Sequence, residues 1–145
     1  MQTAYDSLCF WCKCMSYSSR YVLTSIDDIK KVANNVLHGI EKHGSLSEER
    51  RYDIKLVINE LLVNSFEHAQ PTKQSPVVFR AGLKSGQLRI GVTDGGRGFS
   101  HESLVSDNND LLYRERGRGL MLVRALCQEI RYSGRGNSVE VKIVL

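Results

Sequence analysis

Two neighbouring stretches in the middle of the chain, Val77 to Leu83 and Leu88 to Val92, most constrain how it can fold. Every second residue in each stretch is apolar, and a polar turn at residues 85–87 separates them. This pattern predicts a β-hairpin that buries only one of its faces. Because such a face needs another layer to cover it, we expect the rest of the chain to supply helices for that purpose.

Helical and strand patterns follow one another along the rest of the chain. A short strand is predicted from Arg20 to Ser25. Ser25 then suits the N-cap of a helix that runs to about Lys42, and Ser47 suits the N-cap of a second helix that ends before Pro71. A third helix and a second hairpin close the chain. The order strand, helix, helix, hairpin, loop, helix, hairpin predicts an α/β two-layer sandwich.

The composition is that of one globular domain. The chain has 145 residues, of which 41% are hydrophobic and 25% are charged. The formal net charge of +4 is spread along the sequence, so it does not indicate nucleic acid. No apolar run approaches the roughly 18 residues of a membrane span, and the N-terminus lacks the pattern of a secretory signal. We therefore expect a cytoplasmic protein that binds neither a membrane nor, directly, a nucleic acid.

The four cysteines, Cys9, Cys12, Cys14 and Cys127, are predicted to be reduced thiols. A zinc site often takes its four ligands from two separated pairs, whereas here three cysteines are crowded together and the fourth stands alone. The stretch that starts at Met15 is a natural beginning for a domain. We therefore predict an N-terminal extension, residues 1–14, that the fold does not need, followed by a domain of residues 15–145.

The second helix carries polar residues on a face of its own. Glu60, Asn64, Glu67 and His68 fall together, since an α-helix has about 3.6 residues per turn, and they lie opposite an apolar stripe from Ile54 to Ala69. A solvated face is one interpretation. Such faces are usually built from Lys, Glu and Arg, however, and Asn is a poor helix former. A functional demand for an amide at position 64 is the other interpretation.

Two glycine clusters flank a polar, irregular segment. The first, Asp94 to Gly98, directly follows a predicted strand, and the second, Gly117 to Gly119, stands at the start of the third helix. Tight turns would explain both clusters. Glycines at a helix N-terminus, however, also expose backbone amides to which a phosphate can bind. The P-loop motif, the dinucleotide fingerprint and the GxSxG nucleophile motif are all absent from the sequence.

In their order and spacing these segments resemble the boxes of the GHKL ATPase superfamily of gyrase, heat-shock protein 90, histidine kinases and mismatch-repair ATPases. The N-box corresponds to Glu60 to Ala69, the D-x-G-x-G box to Asp94 to Gly98, and the second glycine box to Gly117 to Leu120. Residues Gly136 to Val139 resemble the family's last strand, with Ser138 where a threonine is common. The resemblance implies the Bergerat ATP-binding fold, a mixed, mainly antiparallel sheet with helices on one face.

The resemblance also implies roles for individual residues, with ATP and Mg²⁺ as cofactors. Glu60 would be the general base, Asn64 a ligand of Mg²⁺, and Asp94 the acceptor for the adenine amino group. His68 would either orient its helix or touch the phosphates. The other implied ATP contacts are Gly96, Gly98, Gly117, Arg118 and Gly119. Arg114 and Arg116 precede the phosphate turn, and ordinary surface charge is one interpretation of them. The other is a lid arginine, and we predict that Arg116, the nearer of the two, meets the γ-phosphate and takes part in catalysis.

Within the superfamily, the chain is most similar to the small anti-sigma-factor serine kinases. Three features carry the similarity. They are the stretch ELLVNSFEHA, the short segment between the glycine boxes, and the absence from this sequence of a phosphoacceptor helix pair or transducer domain. It implies a Mg-ATP-dependent protein serine/threonine kinase, a homodimer, that sequesters a sigma factor and phosphorylates a STAS-type anti-anti-sigma protein. Two alternatives stay open: a nucleotide-gated regulatory binding module without kinase activity, and the catalytic ATP-binding partner of a two-component system.

Overall fold

The computed structural model describes residue 11 and residues 14–96, 115–134 and 137–145, with the backbone alone for residues 115–118. The helices are α1 (Ile29–Glu41), α2 (Glu48–Ala69) and α3 (Glu115–Leu126), and a 3-10 turn, Ile26–Asp28, precedes α1. The strands are β1 (Tyr17–Leu23), β2 (Val77–Lys84), β3 (Gln87–Thr93), β4 (Glu129–Ser133) and β5 (Ser138–Val144). Their order along the chain is the predicted one.

The strands form one five-stranded sheet in the order β1-β2-β3-β5-β4. Within the described ranges each pairing of neighbours is antiparallel, so the sheet is more uniform than the mixed sheet that the resemblance implied. The predicted central hairpin is confirmed, and Lys84 and Gln87 pair across its two-residue turn. Strand β5 inserts between β3 and β4, and this insertion brings the end of β3 beside the start of β5.

The core lies between the helices and one face of the sheet. Phe79 and Ile90 are fully buried on the sheet side, and α2 contributes Ile54, Ile58 and Leu62 from the opposite layer. Alternate residues of the strands point into this layer, as the period of two in the sequence predicts. The predicted α/β two-layer sandwich is therefore confirmed, with the other face of the sheet left outside the helical layer.

The helix caps explain where two of the helices begin. Ser47 accepts a hydrogen bond from the amide of Arg50 at 3.1 Å, and it caps α2 as predicted. Ser25 caps the 3-10 turn by accepting from the amide of Asp27, so the α-helix itself starts only at Ile29. At the other end, α2 stops where Gln70 adopts a left-handed conformation before the proline.

The first strand lies earlier than the sequence predicted. It runs from Tyr17 to Leu23, whereas Arg20 to Ser25 was expected. The reason is its pairing with β2, which joins Tyr17 to Leu83 and so recruits the polar residues 18 and 19 into the strand. The sequence near β1 cannot predict that pairing, because the partner strand is some sixty residues further along the chain.

Two cysteines lie within the described residues, and both are free thiols. Cys14 is exposed, while burial raises the pKa of Cys127 to about 12. Cys127 is therefore a packed apolar group rather than a reactive thiolate. Cys9 and Cys12 lie outside the described residues. No helix in the described ranges combines the length and apolarity that a bilayer span requires.

Candidate functional site

A cleft lies between the helical layer and the ends of three strands of the sheet. Its helical wall is formed by α2 and α3, and its floor by the ends of β3, β4 and β5. The lining residues are Leu61, Asn64, Ser65, His68, Val92, Asp94, Leu120, Tyr132, Asn137, Ser138 and Val139. The cleft therefore unites predicted residues from the N-box and the first glycine box with the last strand.

Asp94 is held in place by a set of backbone bonds at the end of β3. Its amide donates to the carbonyl of Asn137 at 2.9 Å, and the Asn137 side-chain Nδ2 donates to the Asp94 carbonyl at 2.8 Å. The amide of Gly96 donates to Asp94 Oδ1 at 2.9 Å. This bond fixes the orientation of the carboxylate, and among the described residues of the loop its second oxygen accepts no hydrogen bond.

Gly96 lets this loop lie directly against the end of α2. A side-chain carbon at Gly96 would stand 3.1 Å from Cα of Ala69 and 3.0 Å from Oδ1 of Asp94. Both distances are too short for a relaxed contact, so a larger residue would push the loop away from the helix. The first glycine box thus fixes how far Asp94 stands from the N-box helix.

The four polar residues of α2 divide into two pairs by exposure. Glu60 and Asn64 are half-buried, whereas Glu67 and His68 are exposed. Asn64 and His68 line the cleft. The solvated-face interpretation therefore fits Glu67, while Asn64 stands on the wall of the cleft and its role as a ligand stays a prediction.

Glu60 lies one turn before Asn64 and packs against α3. A side-chain carbon on Gly119 would overlap the Oε2 of Glu60 and stand 3.1 Å from its Cδ. Burial raises the pKa of Glu60, and the negative charge of Glu67 raises it further. The chain therefore brings a carboxylate with increased proton affinity to the start of α3, where the second glycine box lies.

The remaining predicted residues are placed only in part. The backbone of Arg116, Gly117 and Arg118 lies in the first turn of α3. Amide groups in the first turn of a helix have no hydrogen-bond partner within that helix. The roles predicted for the side chains of Arg116 and Arg118 lie outside the described side chains. Gly98 lies outside the described residues, and its predicted role stays a prediction.

Two residues of the cleft were not assigned a role from the sequence. Asn137 joins the ends of β3 and β5 through its bonds to Asp94. Tyr132 lines the floor, and burial raises the pKa of its phenol although the charge of Arg124 partly opposes this. The Gly-Asn pair before the last strand was a usable signal for a turn, but nothing local connects it to residue 94, since 43 positions separate the two.

The donor set of the cleft fits a magnesium ion better than a zinc ion. Within the described residues, no three His, Cys, Asp or Glu side chains gather into a group that could hold a metal by themselves. Mg²⁺ prefers oxygen and commonly takes one or two protein ligands, completing its shell with water and phosphate. The amide oxygen of Asn64 on the cleft wall is a donor of that class.

A family model of the histidine kinase-like ATPase domain matches residues 24–143 of the chain. The chain belongs to this family. The match spans the N-box, both glycine boxes and the last strand, so the superfamily predicted from the sequence is confirmed. Membership implies that this histidine kinase-like ATPase domain binds ATP.

A curated relative points to the same family. The chain is 28% identical over 88 residues to the sensor histidine kinase LiaS of Bacillus subtilis (strain 168). The aligned part covers 60% of this chain and 23% of that protein, so this chain corresponds to about a quarter of its relative. The similarity concerns the ATPase domain and leaves the phosphoryl acceptor to be identified.

Proposed function

We propose that this ATPase domain is a protein serine/threonine kinase and anti-sigma factor, which uses Mg-ATP to phosphorylate a STAS-type anti-anti-sigma protein. The observation that carries the proposal is Glu60. Its carboxylate is half-buried, has a raised pKa and packs against Gly119 at the start of α3. A domain that only binds nucleotide has no need of a strong base at that point, whereas transfer to a hydroxyl group does.

The transfer step can be written on the residues present. Glu60 accepts the proton of a serine hydroxyl group as the serine oxygen forms a bond to the γ-phosphorus. The bond between that phosphorus and the bridging oxygen breaks, and ADP leaves with the bond's electrons. The raised pKa of Glu60 favours this role, because a more basic carboxylate takes up the proton more readily.

The other cleft residues hold the nucleotide. Asp94, oriented by Gly96 and Asn137, offers a carboxylate oxygen to the adenine amino group. The amides of the first turn of α3 face the phosphates at the positive end of the helix dipole. When bound, Mg²⁺ would neutralise phosphate charge, and Asn64 would be its protein ligand.

The regulatory part of the proposal comes from the similarity to anti-sigma-factor serine kinases. The protein would act in the cytoplasm as a homodimer that holds a sigma factor inactive. The STAS-type antagonist would compete with the sigma factor for binding to this protein. Phosphorylation would release the antagonist and restore inhibition of the sigma factor. This makes the phosphorylated serine of a small partner protein the product to look for.

The test is affinity capture from the source lysate with and without Mg-ATP, using the wild type and Glu60→Gln in parallel. Captured proteins are identified by mass spectrometry and then incubated with γ-labelled ATP. Nucleotide-dependent recovery of a sigma factor or STAS protein, with acid-stable label on serine that Glu60→Gln does not transfer, is the expected result. Transfer that survives Glu60→Gln would contradict the assigned base.

The catalytic half of a two-component system is the second candidate, and the similarity to a sensor histidine kinase favours it. The same experiment separates the two, because phosphohistidine is labile in acid and phosphoserine is stable. Label that disappears on acid treatment, together with capture of a receptor fragment or response regulator, would select this candidate. Capture without any transfer would select a nucleotide-gated binding module.

A further inference from the structure

The face of the sheet that points away from the helices carries charged residues in two rows. Side chains of directly paired residues on neighbouring strands lie on the same face of a sheet. The strand register therefore identifies the residues of each row. The first row is Arg20, Arg80, Gly91, Glu140 and Arg131. The second row is Ser18, Gly82, Arg89, Lys142 and Glu129.

The two carboxylates of these rows are engaged in the half of the face formed by β3, β4 and β5. Glu140 pairs with Arg89 at 2.9 Å, and Glu129 pairs with Arg131 and, at 3.5 Å, with Lys142. Burial alone would raise the pKa of Glu129, but the hydrogen bond and charge of Arg131, then Lys142, lower it overall. In the described strands, this half of the surface thus carries three cations and two carboxylates, and each of the three cations is paired within it.

The other half, formed by β1 and β2, has cations without such partners. Arg20 lies directly opposite Arg80, and both are exposed. Among the described residues, no carboxylate lies within salt-bridge distance of either arginine. Like charges directly opposite each other on adjacent strands destabilise a sheet. The arginine pair therefore works against folding, which points to a role outside the fold.

Trp11 forms a wall beside this arginine pair. Its indole lies over Gly91, where a side-chain carbon would stand 3.9 Å from the ring, and its Nε1 donates to Glu140 at 3.1 Å. The guanidinium of Arg80 stands 5.0 Å from the centre of the ring. A cation over an aromatic face is held by the ring's electrons, so Trp11 fixes the direction of Arg80 and leaves it at the surface.

We propose that the β1–β2 half of this face, centred on Arg20 and Arg80, binds a short acidic segment of a protein partner. Two exposed guanidinium groups present planar forks that match carboxylates. The cations of β3, β4 and β5 are paired with Glu140 and Glu129, so the positive charge that is open to a partner is confined to β1 and β2. A long nucleic acid or an anionic bilayer, which need a broad cationic surface, therefore fits less well than a short segment. The proposal does not depend on the acceptor of the phosphoryl group.

The test measures binding of a fluorescent peptide of ten glutamates to the full chain at two salt concentrations. The variant is Arg20→Glu combined with Arg80→Glu. The matched control is Lys30→Glu combined with Lys31→Glu, which makes the same change of charge at exposed positions of α1. We expect the arginine variant to bind about tenfold more weakly and the lysine variant to bind like the wild type. Binding should weaken as salt rises.

A second measurement separates this role from a structural one. Arg20→Glu alone turns the repulsive pair with Arg80 into an attractive one, so thermal stability should stay the same or rise while peptide binding falls. Equal loss of binding in the arginine and lysine variants, or no binding of the peptide, would overturn the proposal. So would tighter binding of a ten-nucleotide single strand or of phosphatidylserine vesicles.

Discussion

Glu60 and Gly119 pack so closely that each limits what the other can be. Gly119 is buried, and the overlap that a side-chain carbon would make there falls on the carboxylate oxygen of Glu60. The glycine therefore has a packing role in addition to the phosphate contact predicted from the sequence. Because glycine has no side chain, the space at this position is left for the carboxylate of Glu60.

Gly119→Ala should reduce phosphoryl transfer, because the added methyl displaces the carboxylate of Glu60. The free energy of unfolding should change by less than about 1 kcal/mol, since the overlapping atoms are the end of a flexible side chain and alanine is a better helix former than glycine. Chemical denaturation and the transfer assay measure the two effects. When Glu60→Ala removes the overlapping atoms, Gly119→Ala should stabilise the chain by about 1 kcal/mol through helix propensity alone. Gly44→Ala is the control, as nothing lies within 4 Å of a carbon added there. An equal effect of Gly119→Ala on stability with and without Glu60→Ala would contradict the contact.

Glu60→Gln should reduce phosphoryl transfer by at least about 100-fold and leave ATP affinity nearly unchanged. An amide keeps the size of the side chain but cannot accept the proton. Single-turnover kinetics measure the rate of phosphoryl transfer, and equilibrium titration measures the affinity for ATP. Glu49→Gln, at an exposed position in the first turn of the same helix, is the control and should transfer normally.

The same variant has a pH signature in stability. Burial and then Glu67 raise the pKa of Glu60, so the folded state holds that proton more tightly than the unfolded chain does. The wild type gains stability from this group below the unfolded pKa of about 4.3 and loses it as pH rises through the folded pKa. Glu60→Gln should therefore be more stable than the wild type at neutral pH and lose this advantage as pH falls toward the unfolded pKa. Equal stability curves across pH would contradict the shift.

At the scale of elements, the junction of β3 and β5 decides where the adenine-binding carboxylate stands. The junction holds two hydrogen bonds between Asp94 and Asn137 and one, at 3.0 Å, between the side chains of Thr93 and Ser138. The two strands are neighbours only because β5 inserts between β3 and β4. The order of strands, rather than the loop alone, thus positions Asp94.

Asn137→Ala should weaken ATP binding about five- to tenfold and lower the free energy of unfolding by roughly 1 kcal/mol. The change removes the side-chain bond to the Asp94 carbonyl and leaves the backbone bond in place. Isothermal titration with ATP measures the effect. Asn34→Ala, at an exposed position of α1, is the control. If both variants bound ATP like the wild type, Asn137 would have no positioning role.

At the scale of the whole molecule, Trp11 bears on where the domain begins. Arg89 is only 7% exposed although it lies on the outer face of the sheet. Trp11 shares the carboxylate of Glu140 with it and lies over the adjacent Gly91. The segment that was predicted to be dispensable thus contributes one side chain to the surface of the sheet.

Deletion of residues 1–14 should leave a folded domain that binds ATP but is less stable by about 1–2 kcal/mol, because the contacts of Trp11 are lost. Trp11→Ala in the full chain should account for most of that loss. Tyr52→Ala, at a position 66% exposed, is the aromatic control and should be nearly neutral. Thermal denaturation compares the variants. An unfolded product after deletion would show that the domain begins before residue 15.

The sequence predicted the element order well because each element rests on a local pattern. The period of two from Val77 to Val92 and the cap at Ser47 depend only on residues close in the chain, and both are confirmed. The bounds of β1 were wrong, since they depend on pairing with β2. The Glu60 and Asn64 of the N-box were found from helical spacing, whereas Asn137 was missed as a partner of Asp94.

By itself, the sequence determined the type and order of the secondary-structure elements, the two-layer class and the family, since periodicity and the three boxes are local and follow a fixed order. The tertiary structure decided the contact between Glu60 and Gly119, the bonds between Asp94 and Asn137, and the opposition of Arg20 to Arg80. Each of these joins residues that are far apart in the chain. Their proximity follows from strand order, register and helix packing, which depend on the burial of the whole core at once.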